Sequence, residues 1–456
     1  MYRGSSSLAS SAEMKKGQDQ EKPVTHGMDD IDDEAKTKLD SHGEPTKLTY
    51  DLVWIKLLYF GNTLRDVGWG RFQGVYLNSV GMTPAQNGLA RFAGLFAKTF
   101  CGPIWGLQAD RCGNPVGLMM LSVVLTGLFM ELYRAPVVIG SFAALLLVKF
   151  IRSGANCGGT LLDLIAMATI EDRAGAGYGA QRIAGSVAWG FGSYLVGHLI
   201  DRYGWSAMFS VTYLCSGGVL VLLAAAPKHL HRKVSSGGGR RSTLEVFRGY
   251  GKFLNDPSAR IFLGLVLLYG VAMALPEQIM FLQMEREFET PKASMGKITL
   301  IGTLTEYPAF LLSNQLIARF GHQQLLMVAH VTMALRLALM STVTKATQGR
   351  FAVIQGLHGI CFGFAWPTIV DYSYRSAPKS LKATAQGVVS TAYYVVGAGF
   401  GSVAWNTAYG ALGTAVPCYR AGALLVATSA ALLVAFLEPV PTTMKERQSE
   451  AVPEEV

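Results

Sequence analysis

The chain has 456 residues, 50% of them hydrophobic and only 16% charged. A soluble globular protein carries about a quarter charged residues, so the composition excludes a soluble enzyme or regulator and indicates a membrane protein. The net charge of +9 does not mark a nucleic-acid binder, because the basic residues are scattered through loops between apolar segments, as a topology signal is.

Residues 1–49 are polar, rich in Ser, Lys, Asp and Glu, with no apolar stretch and an acidic run from Asp29 to Glu34. They read as a disordered tail, neither signal nor transit peptide. Apolar segments follow at about 51–78, 85–108, 115–133, 137–170, 179–201 and 205–226, then at about 259–283, 294–318, 324–344, 350–373, 382–406 and 416–438, twelve spans to within about one. Each is long enough to cross a bilayer at 1.5 Å per residue, although charges inside several of them blur the hydropathy signal. The longest connection, 227–258, holds Ser-Ser-Gly-Gly-Gly-Arg-Arg with further Lys and Arg. It divides the chain into bundles at 50–226 and 259–438, with a C-terminal tail at 439–456, and its charge places it in the cytoplasm. With an even span count both termini lie there too, and Arg111, Arg173, Arg319, Arg375 and Lys379 fall in loops on that side. Basic residues on the outer side (Arg286, Lys292, Lys297) weaken the asymmetry.

Span 5 opens with YGAQRIAGSVAWG, 178–190. Arg182, Ser186 and Trp189 fall on one helix face, and Ser186, Gly190, Ser193 and Gly197 make a small-residue stripe that admits a close neighbour. A membrane arginine is tolerated facing water or an acid, and Arg182 with Trp189 suits a polar, ring-shaped ligand; near the helix end the arginine could also snorkel. On span 4, Arg152, Asn156, Thr160 and Asp163 follow at spacings of four, four and three, one polar stripe on a continuous helix. Arg65, Asp66, Arg71 and Arg91 read as structural or gating pairs. Glu277 follows Pro276, which frees a backbone carbonyl and can break span 7. Glu306, Arg336, His358 and Asp371 complete the intramembrane charges of the second half.

Gly106-Leu-Gln-Ala-Asp110-Arg111-Cys112-Gly113 follows span 2, and a shorter echo, Ala318-Arg319-Phe320-Gly321, follows span 8. The glycines suit tight turns, and the charges suit a latch between neighbouring helices that closes in one conformation only. The six cysteines have no metal spacing, and Walker A, GxSxG and HExxH sequences are absent. No enzyme, metal or cofactor is implied. Spans this rich in glycine and mixed charge suit rocking bundles better than a selectivity ring.

On these motifs the chain from about 51 to 438 resembles the major facilitator superfamily, and within it the lactose-permease-like branch of oligosaccharide–proton and nucleoside–proton symporters. The match rests on GPIWGLQADRCG (102–113), YGAQRIAGSVAWG (178–190), ARFGHQQLLMVAHVTMALR (318–336) and Leu-His-Gly (357–359). The resemblance implies an all-α membrane fold of twelve transmembrane helices in two six-helix bundles around a central cavity. It implies a sugar-like pocket in which Arg182 faces Asp163 and Trp189 stacks on a ring, with Arg336 and His358 in coupling positions. Arg152 and Asn156 join the substrate-binding set from the span 4 stripe, and Gly106, Asp110, Arg111 and Gly113 form the gating motif. The branch's span 10 glutamate is replaced by Cys361, and Thr303 stands at its span 8 glutamate position with Glu306 one turn beyond. Glu306 is therefore the expected proton carrier, with its affinity set by Arg336, with help from His358, and with Glu277 as competitor. The expected activity is secondary transport of a small polar solute, a sugar or nucleoside, by alternating access. Proton symport is favoured over simple facilitation, and the protein is expected to work as a monomer in a lipid bilayer. A non-transporting receptor on the same fold remains the alternative, and a filled cavity would favour it.

Overall fold

Proline and its capping partners set where the helices start. In the computed structural model Thr83 caps the helix Pro84–Cys112 in a reciprocal box with Gln86, Asn114 caps Pro115–Glu131, and Asp256 caps Pro257–Ala274. In each, proline occupies the first turn, where its missing N–H costs nothing. The structure describes residues 45–170, 178–227, 254–377 and 382–437. The expected N-terminal tail as far as residue 44, the linker from 228 to 253, the C-terminal tail, and the loop residues Arg173 and Lys379 lie outside the described residues.

Every regular element among the described residues is helical. The helices group into twelve rods. The first half has Pro45–Ser79, Pro84–Cys112, Pro115–Glu131, the paired segments Phe142–Ala155 and Gly158–Ile170, Tyr178–Tyr203, and Ser206–Ala224. The second half has Pro257–Arg286, Lys292–Met340, Arg350–Ser376, Thr384–Leu412 and Val416–Phe436. Lys292–Met340 is two rods, because Gly321 at φ 80° turns the chain where a side chain would be strained. Eight helices pass as membrane spans on length and apolarity alone. Rods 1, 2 and 4 do not, and these carry Lys56, Arg65, Asp66, Arg71, Arg91, Lys98, Lys149, Arg152 and Asp163. In rods 1 and 2 the charge lowers the hydropathy, whereas rod 4 is apolar but divided into segments of 14 and 13 residues, each too short to span alone.

Span 4 departs from the continuous helix expected of it. It breaks at Asn156 and Cys157 within the helix-poor run Gly-Ala-Asn-Cys-Gly-Gly. Ser122 satisfies the freed backbone, its hydroxyl donating to the Ala155 carbonyl (2.7 Å) and accepting from the Cys157 N–H (3.2 Å). This is how irregular backbone survives at membrane depth. Span 7 meets Pro276 without breaking, through one wide π turn at Leu275–Ile279. Spans 10 and 11 carry similar turns at Gly359–Phe364 and Thr391–Gly397.

The small-residue stripe of span 5 is where the two halves meet. A Cβ on Gly197 would lie 2.3 Å from the Lys292 carbonyl oxygen, and one on Gly296 would lie 2.2 Å from that of Ser193. Only glycine permits this backbone contact between spans 5 and 8. Asp201, at the end of span 5, accepts from the Lys292 and Ala293 N–H groups at 2.8 Å each, capping span 8 from the other half. The apolar core is divided accordingly. One cluster joins both halves through Val67, Phe72, Met295 and Ile298 and continues along the second half to Phe262, Leu326 and Leu433. A second, including Trp54, Leu58, Met119 and Leu161, stays within the first half near the opposite ends of the spans. The halves are held together by the backbone contacts at the Gly197 end, and further along span 5 the Tyr307 hydroxyl of span 8 donates to the Ile183 carbonyl.

Candidate functional site

The space left between the halves comprises three adjoining cavities that share Arg91 and Leu95 in their walls. The first, about 260 Å³, lies against the second half and is walled by Trp189, Glu277, Glu306, Gln355, His358, Phe362, Tyr393 and Tyr394, among others. The second, about 220 Å³, lies in the first half among Asp66, Trp69, Lys98, Lys149, Arg152 and Asn156. The third, about 910 Å³, runs past Lys98, Thr160 and Asp163 to Gly106. All three π turns of the second half contribute wall residues to the first cavity: Glu277, Phe362, and Tyr393 with Tyr394. Such turns gather at functional sites because they re-aim side chains without ending a helix.

Glu306, His358 and Arg336 form a chain. The Glu306 carboxylate lies 2.7 Å from His358 Nε2, and the Arg336 guanidinium donates to His358 Nδ1 at 3.1 Å and to Gln355 at 2.7 Å. A guanidinium can only donate, so Nδ1 is the acceptor and the imidazole carries its proton on Nε2, aimed at Glu306. Sequence reasoning made Arg336 the direct neighbour of Glu306 and His358 a helper. The geometry reverses those places, with His358 in the middle and Arg336 fully buried behind it. Glu277, the competing carboxylate, is engaged elsewhere. Arg71 donates to it at 2.6 Å across the two halves, also reaches Thr299 at 3.2 Å, and lies over the rings of Phe281 and Trp189 at 5.1 and 5.6 Å.

In the second cavity Asp66 is the hub. Arg65 lies 3.2 Å from it, Arg152 3.7 Å, and the Asn156 amide donates at 2.9 Å. Arg65 also donates to Thr126 and to the Asn156 oxygen. Lys149 donates to Gln73 at 2.5 Å and lies 5.5 Å from the Trp69 ring, which Arg152 shares at 5.4 Å. Arg91 and Lys98 have no ion pair or hydrogen bond among the described residues. The break in span 4 splits the expected polar stripe, leaving Arg152 and Asn156 on the second cavity and Thr160 and Asp163 on the third.

The sugar-pocket pairing is not assembled in this conformation. Asp163 accepts from the Tyr59 hydroxyl at 2.7 Å and makes no ion pair with Arg182. Arg182 is exposed and borders none of the three cavities. Trp189 does wall the first and second cavities. Of the gating motif, Gly106 walls the third cavity with open space where a Cβ would stand, Gly113 ends span 2 at φ 64°, and Arg111 is exposed. The side chain of Asp110 lies outside the described residues.

Three residues that the structure brings forward were passed over or undervalued in the sequence. Lys149 sat unremarked in an apolar run, and Arg91 read as an ion-pair member. Asp201 had a visible signal, since Asp201-Arg202-Tyr203-Gly204 repeats the Asp-Arg-x-Gly of 110–113, and both glycines take positive φ.

The chain matches the model of the MFS_1 like family over residues 69–421. It belongs to that family. It is 27% identical over 302 residues to the maltose permease of Geobacillus stearothermophilus, covering 66% of this chain and 72% of the permease. It is 25% identical over 321 residues to a probable 3-phenylpropionic acid transporter of Escherichia coli (strain K12), covering 67% and 77%. Among solved structures, the nucleoside transporter NupG superposes with TM-score 0.71 at 17% identity, covering 85% of this chain and 98% of that one. The inward-open xylose transporter XylE from E. coli superposes with TM-score 0.60 at 14% identity, covering 89% and 99%. The fold is the major facilitator fold, and the protein is a multi-pass membrane transporter, not an enzyme.

Proposed function

We propose that this protein moves a small polar, ring-bearing solute, of the sugar or nucleoside kind, by alternating access, in symport with protons. The observation that carries this reading is the Glu306–His358–Arg336 chain on the wall of an accessible cavity. The Nδ1 lone pair that accepts from Arg336 fixes where a second proton can go. On His358 it would turn an Nδ1–H against the Arg336 N–H groups and break that contact, whereas Glu306 can take it on one carboxyl oxygen and still accept from Nε2–H with the other. Proton uptake at Glu306 therefore removes a charge from the wall that faces the solute without breaking the chain. A neutral Glu306 also costs far less to carry through an occluded state than an ionised one.

Placing the basic linker in the cytoplasm puts Gly106 on the cytoplasmic side and the Asp201 contact on the outer side. The structure is then the inward-open member of the cycle. Both termini would lie inside, and a single chain holds the whole cavity, as a functional monomer requires. Three adjoining cavities, in place of a filled core, favour transport over a receptor role.

The test is purified protein in liposomes, assayed with maltose, xylose and uridine, with and without an inward-acid gradient. Glu306→Gln is expected to exchange solute at equilibrium but to lose gradient-driven accumulation. Full accumulation by that variant would make Glu306 structural. If Glu277→Gln also leaves accumulation intact, the protein is a facilitator.

A further inference from the structure

We propose that the transported solute is an organic anion, its carboxylate or phosphate group docking among Arg91, Lys98, Lys149 and Arg152 in the second cavity. The inference rests on the transport reading but replaces its neutral sugar or nucleoside with an acidic, ring-bearing solute. Charge accounting along the walls carries it. The wall of the second half is balanced: Glu277 is paired with Arg71, and Glu306 is matched by the Arg336–His358 chain. The first half is not. Arg65, Lys98, Lys149 and Arg152 gather about one carboxylate, Asp66, which Arg65 and Arg152 already share, and the acid nearest in effect to Arg91 is Glu277, which Arg71 already holds.

Asp163, the other acid of this wall, is in the third cavity on the Tyr59 hydroxyl, with no cation among the described residues within ion-pair distance. Counting it still leaves five cations against two carboxylates. Lys149 and Arg152 are almost entirely buried, and among the described residues the acceptor Lys149 has is the neutral Gln73 amide. Arg91 has no hydrogen-bond or ion-pair partner among the described residues, and its buried Nε is unsatisfied. The Trp69 face offers both Lys149 and Arg152 a cation–π contact, which is weak beside an ion pair. Leaving buried charges unmatched is strongly unfavourable, and an anion entering the cavity would match them through charge-assisted hydrogen bonds. Trp189, Phe362, Tyr393 and Tyr394 on the adjoining wall would take the ring-sized body of the same molecule. A neutral sugar or nucleoside leaves the surplus uncompensated.

The experiment uses the full chain in nanodiscs and matched probe pairs at constant ionic strength: glucuronate and glucose 6-phosphate against glucose, uridine monophosphate against uridine, and 3-phenylpropionate against 3-phenylpropanol. Intrinsic tryptophan fluorescence reads binding, because Trp69 and Trp189 stand on the walls. At least one acidic probe should bind at least about tenfold more tightly than its neutral partner. Arg91→Gln and Lys149→Gln should each erase most of that preference, weakening the acidic member far more than the neutral one. Arg91→Gln breaks no ion pair seen in the structure, so its folding is not at stake. The carboxylate and phosphate arms tell which head group fits.

Equal binding within every pair, no binding by any acidic probe, or a preference surviving both variants overturns the proposal. Exchange assays in liposomes separate its failure from that of the transport reading. Transport of neutral probes with acidic ones rejected leaves a transporter without an anion site. Arg91-dependent binding of an acidic probe with no exchange leaves the anion site and removes transport.

Discussion

The two walls of the cavity are built from the same materials and are wired differently. On the second half each acid has a named cation, and the Glu306–His358–Arg336 chain ends at an arginine wholly sealed from solvent. On the first half cations outnumber acids, and two of them, Arg91 and Lys98, line the cavities unpaired among the described residues. A balanced network holds one geometry until a proton alters it, which suits switching. An unbalanced one is completed by something from outside, which suits binding. Paralogous bundles need not share their labour equally.

If the walls divide the work in this way, substitutions on them should fail differently. Glu306→Gln should cost more than tenfold in gradient-driven accumulation with solute exchange retained, because the amide mimics the neutral acid and removes only the switch. Lys149→Gln should lower exchange and accumulation together, by about tenfold at limiting solute, since it removes one charge-assisted contact to the ligand. Parallel liposome assays at several solute concentrations would show the split. If both variants lost accumulation alone, the contrast between the walls would collapse.

Much of the fold could be read in the sequence, and less of the site. The spans were placed by apolarity alone, although local signals of a cap followed by proline stand at Thr83-Pro84 and Asn114-Pro115. The span 5 stripe was visible because close packing needs small residues at fixed spacing, and Gly197 and Gly296 use it in that way. Span 4 was misread as continuous because what permits its break, the Ser122 hydroxyl, comes from another rod. The Glu306 chain was found by position but assembled in the wrong order, because only three dimensions show that His358 Nδ1 faces Arg336. Asp163 and Arg182 were joined by resemblance, and Tyr59 of span 1 holds Asp163 instead. Charge partners depend on which rods adjoin, and periodicity within one helix carries no record of that.

A smaller effect is expected where the walls touch. Arg71 reaches Glu277 from the first half at 2.6 Å, and both side chains wall the first cavity. Removing either should weaken solute affinity several-fold by leaving the other unpaired. The double variant Arg71→Gln/Glu277→Gln should recover part of that loss, and this non-additivity is the signature of direct coupling. Additive losses in isothermal titration would show that the two act on the solute separately, placing Arg71 with the surplus cations of its own half.

The smallest expected effect tests whether the two walls move as rigid partners. Asp201 carries no solute and no proton in this scheme. Its carboxylate caps the first turn of span 8 from span 5, with an oxygen on each of the Lys292 and Ala293 N–H groups. Negative charge at a helix N-terminus is favourable. Asp201→Asn keeps the shape, but loses the charge and one of the two acceptors, since the amide nitrogen cannot accept. The residue is exposed, so solvent screens the contact and the loss should be about 1 kcal/mol. That corresponds to roughly a fivefold shift of the population towards the conformer open on the Asp201 side. Spin-label distances between the Asp201 end of span 5 and the Lys292 end of span 8 should therefore broaden to longer values, while the preference for acidic over neutral probes stays unchanged. An unchanged distance distribution would make Asp201 an ordinary helix cap. A change in probe preference would mean that the closing contact and the binding wall are not separate devices.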